Sequence, residues 1–370
     1  MILSNLSNRQ RNNLLIRITC LFWIIAKLMC WKLWLSDRIF PVVPPFHFLV
    51  VPSFVHLSLF VLSLMALLLL LRYPAAVQLQ VCIIGLELCS CVLDQNRWQP
   101  WEYQYIFTLL IFVINRKNEM NSVVVLRWML AAIYFYSGLG KINAGFAHLA
   151  WQQVIWIHKL PVAYHVAYLP GMLEALFGIG LLFKSTLKPA AALLIIMHLL
   201  ISVCFITFNI NTIVLPWNMA MIAYLVVIAF TAPSFTSSIR SVLFSGNIFV
   251  LLLFGIMPAT NFIGYWDYYL SSSFFTGRIP YMFIEIPKKD TAIVVQSGGS
   301  QLSALFPCDS NRAVVNVTYW AFREMNVPVY PEIRVYKDIR EQLLNRYPAI
   351  GDSFFIYSYR DGKKRLVGIP

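Results

Sequence analysis

"VVVLRWMLAAIYFYSGLGKINAGF", Val123 to Phe146, decides between a soluble and a membrane-embedded chain. From Val123 to Leu139 it is almost wholly apolar, then it closes on Gly138, Gly140, Lys141 and Asn143. A run of roughly 20 apolar residues suits a bilayer span better than a soluble helix. The lysine at its end has two readings. It snorkels to the headgroups, or it is held inside for a purpose.

The rest of the chain agrees with the membrane reading. Of 370 residues, 59% are hydrophobic and 12% charged, and mean hydropathy is +0.69. Soluble domains carry about 25% charged residues. The net charge of +13 would suggest nucleic acid in a soluble protein. Here the basic residues sit in short loops beside apolar runs, which the positive-inside rule explains, so no nucleic-acid partner is expected and membrane lipid is. Six cysteines lie in apolar runs as small lipid-compatible side chains, and Cys308 stands alone in the polar tail, so no disulfide framework is expected. No metal site is expected either, because no CxxC and no paired-histidine helix motif occurs.

Candidate spans are Leu14–Leu35, Phe48–Leu71, Ala76–Leu93, Trp98–Asn115, Val123–Leu139, Val166–Phe183, Ala190–Phe208, Ile213–Thr231 and Ile248–Pro258. Glu102 interrupts the fourth, and the Ala144–Ala163 stretch reads as re-entrant or interfacial. The basic start followed by apolar residues reads as an uncleaved signal-anchor. The expected fold is therefore an all-α polytopic transmembrane helical bundle of about nine spans over residues 1–258, then an aromatic interfacial segment over 259–275. A small α+β domain of about 90 residues, 276–370, follows; it is large enough for a modest core. Arg9, Arg11, Arg72, Arg116, Lys117, Lys184, Lys188 and Arg240 fall on one side of nine spans. That places the N-terminus in the cytoplasm and the tail outside the cell inner membrane, where the tail could meet an extracytoplasmic protein partner. Within the tail, "TAIVVQ" reads as a strand, "DSNRAVVNVTYWAFREM" as a capped helix, and "PEIRVYKDIREQLLNRY" as a second helix with Pro331 in its first turn. "SFFIYSYRDGKKRLVGI" reads as a hairpin turning at Asp361-Gly362.

Ionisable groups inside a bilayer cost about 2.5–3.5 kcal/mol at a helix centre, so each needs a reason. Lys141 follows Gly138 and Gly140, which allow close backbone approach, and Asn143 could hydrogen-bond nearby. A buried amine that loses its proton is a candidate base; the plainer reading is a snorkelling lysine. Glu174 shares a helix face with Gly171 and Gly178 and could meet Lys141 or a histidine, as a catalytic group or as an ion pair fixing register. His198 has Ser202 one turn on, with Asn209 beyond, and reads as a ligand-binding or proton-relaying imidazole or as a satisfied core histidine. Gln80, Glu87 and Asp94 recur at heptad spacing and must face the bundle, against Lys27 or Arg127.

The order "YFYSGLGKIN", a tryptophan-rich loop, "LEALFGIGLLF" and "MHLLISVCF" resembles the HTTM membrane group, which includes the vitamin K-dependent gamma-glutamyl carboxylases. The resemblance covers about 123–231. It implies a carboxylase-like bundle binding a lipid-soluble or quinol-type ligand, with Lys141 as the base, Glu174 and His198 beside it, and Gly138, Gly140, Asn143 and Ser202 around the ligand. The tail is far smaller than a carboxylase lumenal domain. The same Gly-x-x-Lys element is similar to that of DoxX-like membrane proteins, which are associated with quinone-linked or thiol redox systems. That similarity implies a quinone-linked redox subunit. A third account is a non-enzymatic membrane scaffold whose tail binds a partner. "GYWDYYLSSSFFTG" resembles a segment of some uncharacterised bacterial membrane proteins and implies a bacterial origin.

Overall fold

The computed structural model describes residues 6–46, 48–150, 163–208, 211–231, 246–287, 312–346, 354–360 and 363–368. It is a helical membrane protein carrying a small mixed domain. The first helix, α1 (Asn8–Met29), starts where Ser7 and Gln10 form a reciprocal capping box. It is followed by α2 (Ser53–Arg72), α3 (Val77–Val92), α4 (Pro100–Ile114), α5 (Glu119–Lys141), the short α6 (Ala144–Ala150), α7 (Leu169–Gly180), α8 (Leu187–Phe208) and α9 (Val214–Phe230). The last apolar helix, α10 (Ile248–Ile263), contains a π turn at Leu252–Ile256. Four of these, α1, α2, α5 and α8, are long and apolar enough to cross a bilayer.

Hydrogen bonds gather the helix ends into two groups. At one end Arg11 donates to the Thr231 carbonyl, Asn12 to the Glu119 carbonyl and Arg17 to the Leu71 carbonyl. At the other end the chain after α1 meets the chain between α3 and α4, where Arg97 donates to the carbonyls of Leu33 and Trp34. The faces between carry the core: Trp23, Trp101, Tyr105, Tyr134 and Tyr224 are buried, while Leu57, Leu62, Leu68, Leu200 and Val203 face outward, as lipid contact requires.

The C-terminal domain is a four-stranded antiparallel sheet ordered β2-β1-β3-β4, with β1 Tyr281–Pro287, β2 Arg312–Asn316, β3 Phe354–Arg360 and β4 Lys363–Gly368. Its register pairs Phe283 with Asn316, Met282 with Ile356 and Ile356 with Val367. β3 and β4 pair antiparallel as the expected hairpin requires, with Arg360 opposite Lys363, while Asp361 and Gly362 lie outside the described residues. Helices α11 (Val317–Met325) and α12 (Ile333–Arg346) bury Trp320, Met325, Tyr336 and Ile339. Two expectations need correction. Residues 312–316 of the expected first tail helix form a strand, because the true cap is Asn316, whose side chain accepts from the Thr318 and Tyr319 amides. Pro331 precedes α12 rather than sitting in its first turn. The strand expected at 291–296, Asn209, Arg240 and Cys308 lie outside the described residues, as does most of Ala144–Ala163.

This domain is clamped to the second end of the bundle. Glu324 accepts from the amides of Ile39 and Phe40, Asn326 donates to the Met29 carbonyl, and Arg346 donates to the Arg38 carbonyl. Gln99 donates to the Pro328 carbonyl, and Asn96 accepts from the Tyr330 amide. The aromatic segment after α10 wedges into this junction. Phe274 packs edge-on against Trp217 with ring centroids 4.8 Å apart, and Tyr269 packs on Tyr330 at 5.2 Å.

Candidate functional site

Glycine positions bring α5 and α7 together. A Cβ on Gly138 would stand 2.3 Å from the Ala175 amide nitrogen, one on Gly171 2.8 Å from the Gly138 carbonyl oxygen, and one on Gly178 2.7 Å from the Phe135 nitrogen. The backbones therefore touch along the whole contact, as small residues permit in membranes. Gly140 faces elsewhere: its Cβ would meet the Thr276 side chain at 2.9 Å.

This approach lays Glu174 on α7 beside Lys141 at the end of α5. Lys141 Nζ is 2.7 Å from Glu174 Oε2 and donates to Ser137 Oγ at 2.6 Å. The two side chains are 13% and 9% exposed. Lys141 is thus an ion-paired, hydrogen-bonded cation rather than an unencumbered amine. Asn143 serves the chain itself. It donates to the carbonyls of Gly140 and Thr276 and accepts from the Phe146 amide, tying the end of α5 to the aromatic segment.

On α8, His198 is buried and Nε2 lies 2.7 Å from the Tyr134 hydroxyl of α5, while Nδ1 lies 2.9 Å from Asn218 Oδ1 of α9. Asn218 Oδ1 accepts only, so Nδ1 carries the hydrogen and Nε2 accepts from Tyr134. The second imidazole bond thereby fixes the tautomer of the first. Ser202 turns back onto the His198 carbonyl at 2.8 Å and stays within its own helix. Three helices thus meet at a Tyr134–His198–Asn218 chain, and the Lys141–Glu174 pair lies two turns along α5 from Tyr134. Sequence reading singled out Lys141, Glu174 and His198 but not Tyr134, Ser137 or Asn218. Tyr134 lay inside the quoted motif, whereas Asn218 is distant in sequence and carried no signal.

The heptad Gln80, Glu87 and Asp94 divides among partners. Gln80 donates to the Pro74 carbonyl, Glu87 pairs with Lys27 at 2.7 Å, and Asp94 pairs with Arg38. Among the described residues no group of three His, Cys, Asp or Glu is placed to hold a metal.

Apolar helices with buried polar seams define an integral multi-pass membrane protein. Within it, residues 122–207, spanning nearly all of α5 through α8, match the DoxX family model. No curated protein and no solved structure matches the chain. The HTTM resemblance is therefore corrected. The segment bearing Lys141, Glu174 and His198 matches the model of a different membrane family, so the HTTM resemblance no longer supports a carboxylase-like reading. The motifs behind that resemblance were short, and the Gly-x-x-Lys helix end with its glycine-faced acidic partner is accounted for in this chain by close helix packing.

Proposed function

We propose that the chain is a DoxX-like, quinone-linked redox subunit that binds a quinone or quinol against α5, α7, α8 and α9. The observation carrying this reading is the Tyr134–His198–Asn218 hydrogen-bonded chain beside the Lys141–Glu174 pair, inside the segment with DoxX similarity. A quinone offers two carbonyl acceptors. Reducing it takes two electrons from an electron-transfer partner and two protons, which an imidazole and a carboxyl can pass. In this reading His198 and Glu174 are proton-handling groups and Lys141 is a fixed hydrogen-bond donor. Gly138 lets α7 approach, while Gly140, Asn143 and Ser202 shape the surroundings from one step away.

The test is mass spectrometry of lipid extracted from purified protein. A quinone retained by the native chain and lost in folded His198→Ala and Asn218→Leu variants supports the reading. Absence of any quinone, together with no thermal shift on adding a soluble quinone analogue, sinks it. A second reading, a scaffold in which Lys141–Glu174 sets helix register, is favoured by the glycine contacts. Lys141→Met separates the two. Loss of folded protein supports the scaffold, and normal folding with lost quinone supports the ligand site.

The topology we propose has nine crossings, α1 to α5 and α7 to α10, with the Arg11 end cytoplasmic and the tail outside the inner membrane. The grouping of helix ends and the basic residues at the Arg11 end support it. Labelling Cys308 with an impermeant maleimide on intact cells tests it; labelling only after permeabilisation reverses the orientation.

A further inference from the structure

The first half of the bundle, outside the segment with DoxX similarity, holds a second polar cluster that the proposed ligand site does not use. Lys27 of α1, Glu87 of α3 and Glu102 of α4 are each 0% exposed. Lys27 donates to Glu87 Oε2 at 2.7 Å and lies 3.3 Å from the Trp34 ring centroid. Ser63 of α2 donates to Glu87 Oε1. Glu102 Oε2 accepts from Trp23 Nε1 at 2.7 Å, but no donor reaches Oε1 among the described residues. Trp23 and Lys27 stand one turn apart on α1, so the Glu102 and Glu87 carboxyls that they hold are brought to neighbouring positions on one buried helix face.

Two neighbouring carboxyls, wholly buried and with one ammonium hydrogen-bonded to Glu87, favour holding a single negative charge. A proton completes that local balance, and the donor-less Glu102 oxygen marks where it belongs. The other titratable groups nearby are Cys30, Cys91, Tyr105 and the buried cation Arg97, whose guanidinium is hydrogen-bonded to Ser90, His56 and the Leu33 and Trp34 carbonyls rather than to either carboxyl.

Access is one-sided. Toward the tail, Arg97 is bonded to Ser90 and His56, and Arg38 is bonded to Asp94. Arg38 is offset by Asp94, which leaves the Arg97 guanidinium as the charge on that side opposing a hydronium ion. Toward the other end the seam is lined by hydroxyls. Tyr105, one turn along α4 from Glu102, has a buried hydroxyl with no partner among the described residues, and beyond it Tyr224 of α9 meets Thr19 of α1 at 2.8 Å.

We propose that Glu87 and Glu102 form a proton-binding site, one exchangeable proton shared between two carboxyls, reached from the N-terminal end of the bundle through Tyr105, Tyr224 and Thr19. The experiment is infrared spectroscopy of the full chain in lipid at pH 8, in H2O and in D2O. The expected result is a non-ionised carboxyl band that shifts in D2O, disappears in Glu102→Gln and persists in Glu332→Gln. Absence of the band in the native protein, or its full retention in folded Glu87→Gln and Glu102→Gln, overturns the site. If the glutamine variants do not fold, Glu102→Asp decides: the band must change frequency, and an unchanged band overturns the proposal. Tyr105→Phe must slow the deuterium shift severalfold, and an unchanged rate overturns the access route.

Discussion

Two lysine–glutamate pairs stand at the same 2.7 Å separation in this chain, Lys27–Glu87 and Lys141–Glu174, yet they are set in different surroundings. The first is sealed: 0% exposed on both sides, under an aromatic ring, between helices that also bury Glu102. The second is partly open, at 13% and 9%, where two helices pressed together by glycines end against an aromatic segment. Equal geometry therefore implies unequal energetics. Desolvation is complete in one pair and partial in the other, so removing one partner leaves very different charges stranded.

Lys27→Met is expected to have the largest effect, about 3–5 kcal/mol, because it strands Glu87 without a counter-charge. Thermal unfolding in detergent measures it, and Lys27→Met combined with Glu87→Gln should recover most of the loss. A loss no larger than that of Lys141→Met breaks the contrast. Gly138→Ala comes next. Its new Cβ would sit 2.3 Å from a backbone nitrogen, so α5 and α7 must separate at a cost of about 1–3 kcal/mol or more. Gly85→Ala is the control, because nothing lies within 4 Å of that position. It should be neutral or stabilising by up to about 1 kcal/mol. Lys141→Met should cost about 1–2 kcal/mol, since the residual water or headgroup contact of Glu174 softens the loss.

The last test concerns the tail junction, where pH sharpens the comparison. Burial and then the neighbouring Asp267 raise the Glu332 carboxyl from its ordinary 4.5 to about 7. The folded domain thus binds that proton more tightly than the unfolded chain. Its contribution is complete below pH 4.5 and is lost as pH rises to about 7. Unfolding temperature of the junction should fall across that window, and Glu332→Gln should flatten the slope. An equal slope in the variant would assign the effect to another group.

Helix positions were legible because lipid allows few alternatives: each apolar run of sufficient length becomes a helix, and its ends follow from Gly, Pro and charge. Pro100–Ile114 forms despite Glu102, since Trp23 receives that carboxyl inside the bundle. Such pairings are non-local. Nothing near Glu102 in sequence announces Trp23, and nothing near His198 announces Asn218. The heptad of Gln80, Glu87 and Asp94 suggested an inward face, but its three members take three separate partners. In the tail, "RAVVN" carries β-branched residues fit for a strand, and Asn316 after it supplies the helix cap. Lys141, Glu174 and His198 were visible through cost alone, because a polar group within an apolar run always demands a reason.

The tail clamp has a consequence for biogenesis. Asn326 reaches back to Met29, and Arg346 to Arg38, so the part of the polypeptide made late closes over a corner made early. While the ribosome is still adding the intervening helices, that corner must wait with its carbonyls and the Ile39 and Phe40 amides unmet. Until then water has to meet those groups, and the late-made tail displaces it. A translation arrest ahead of α11 would leave a bundle threaded through the bilayer but unlatched, a natural substrate for membrane quality control.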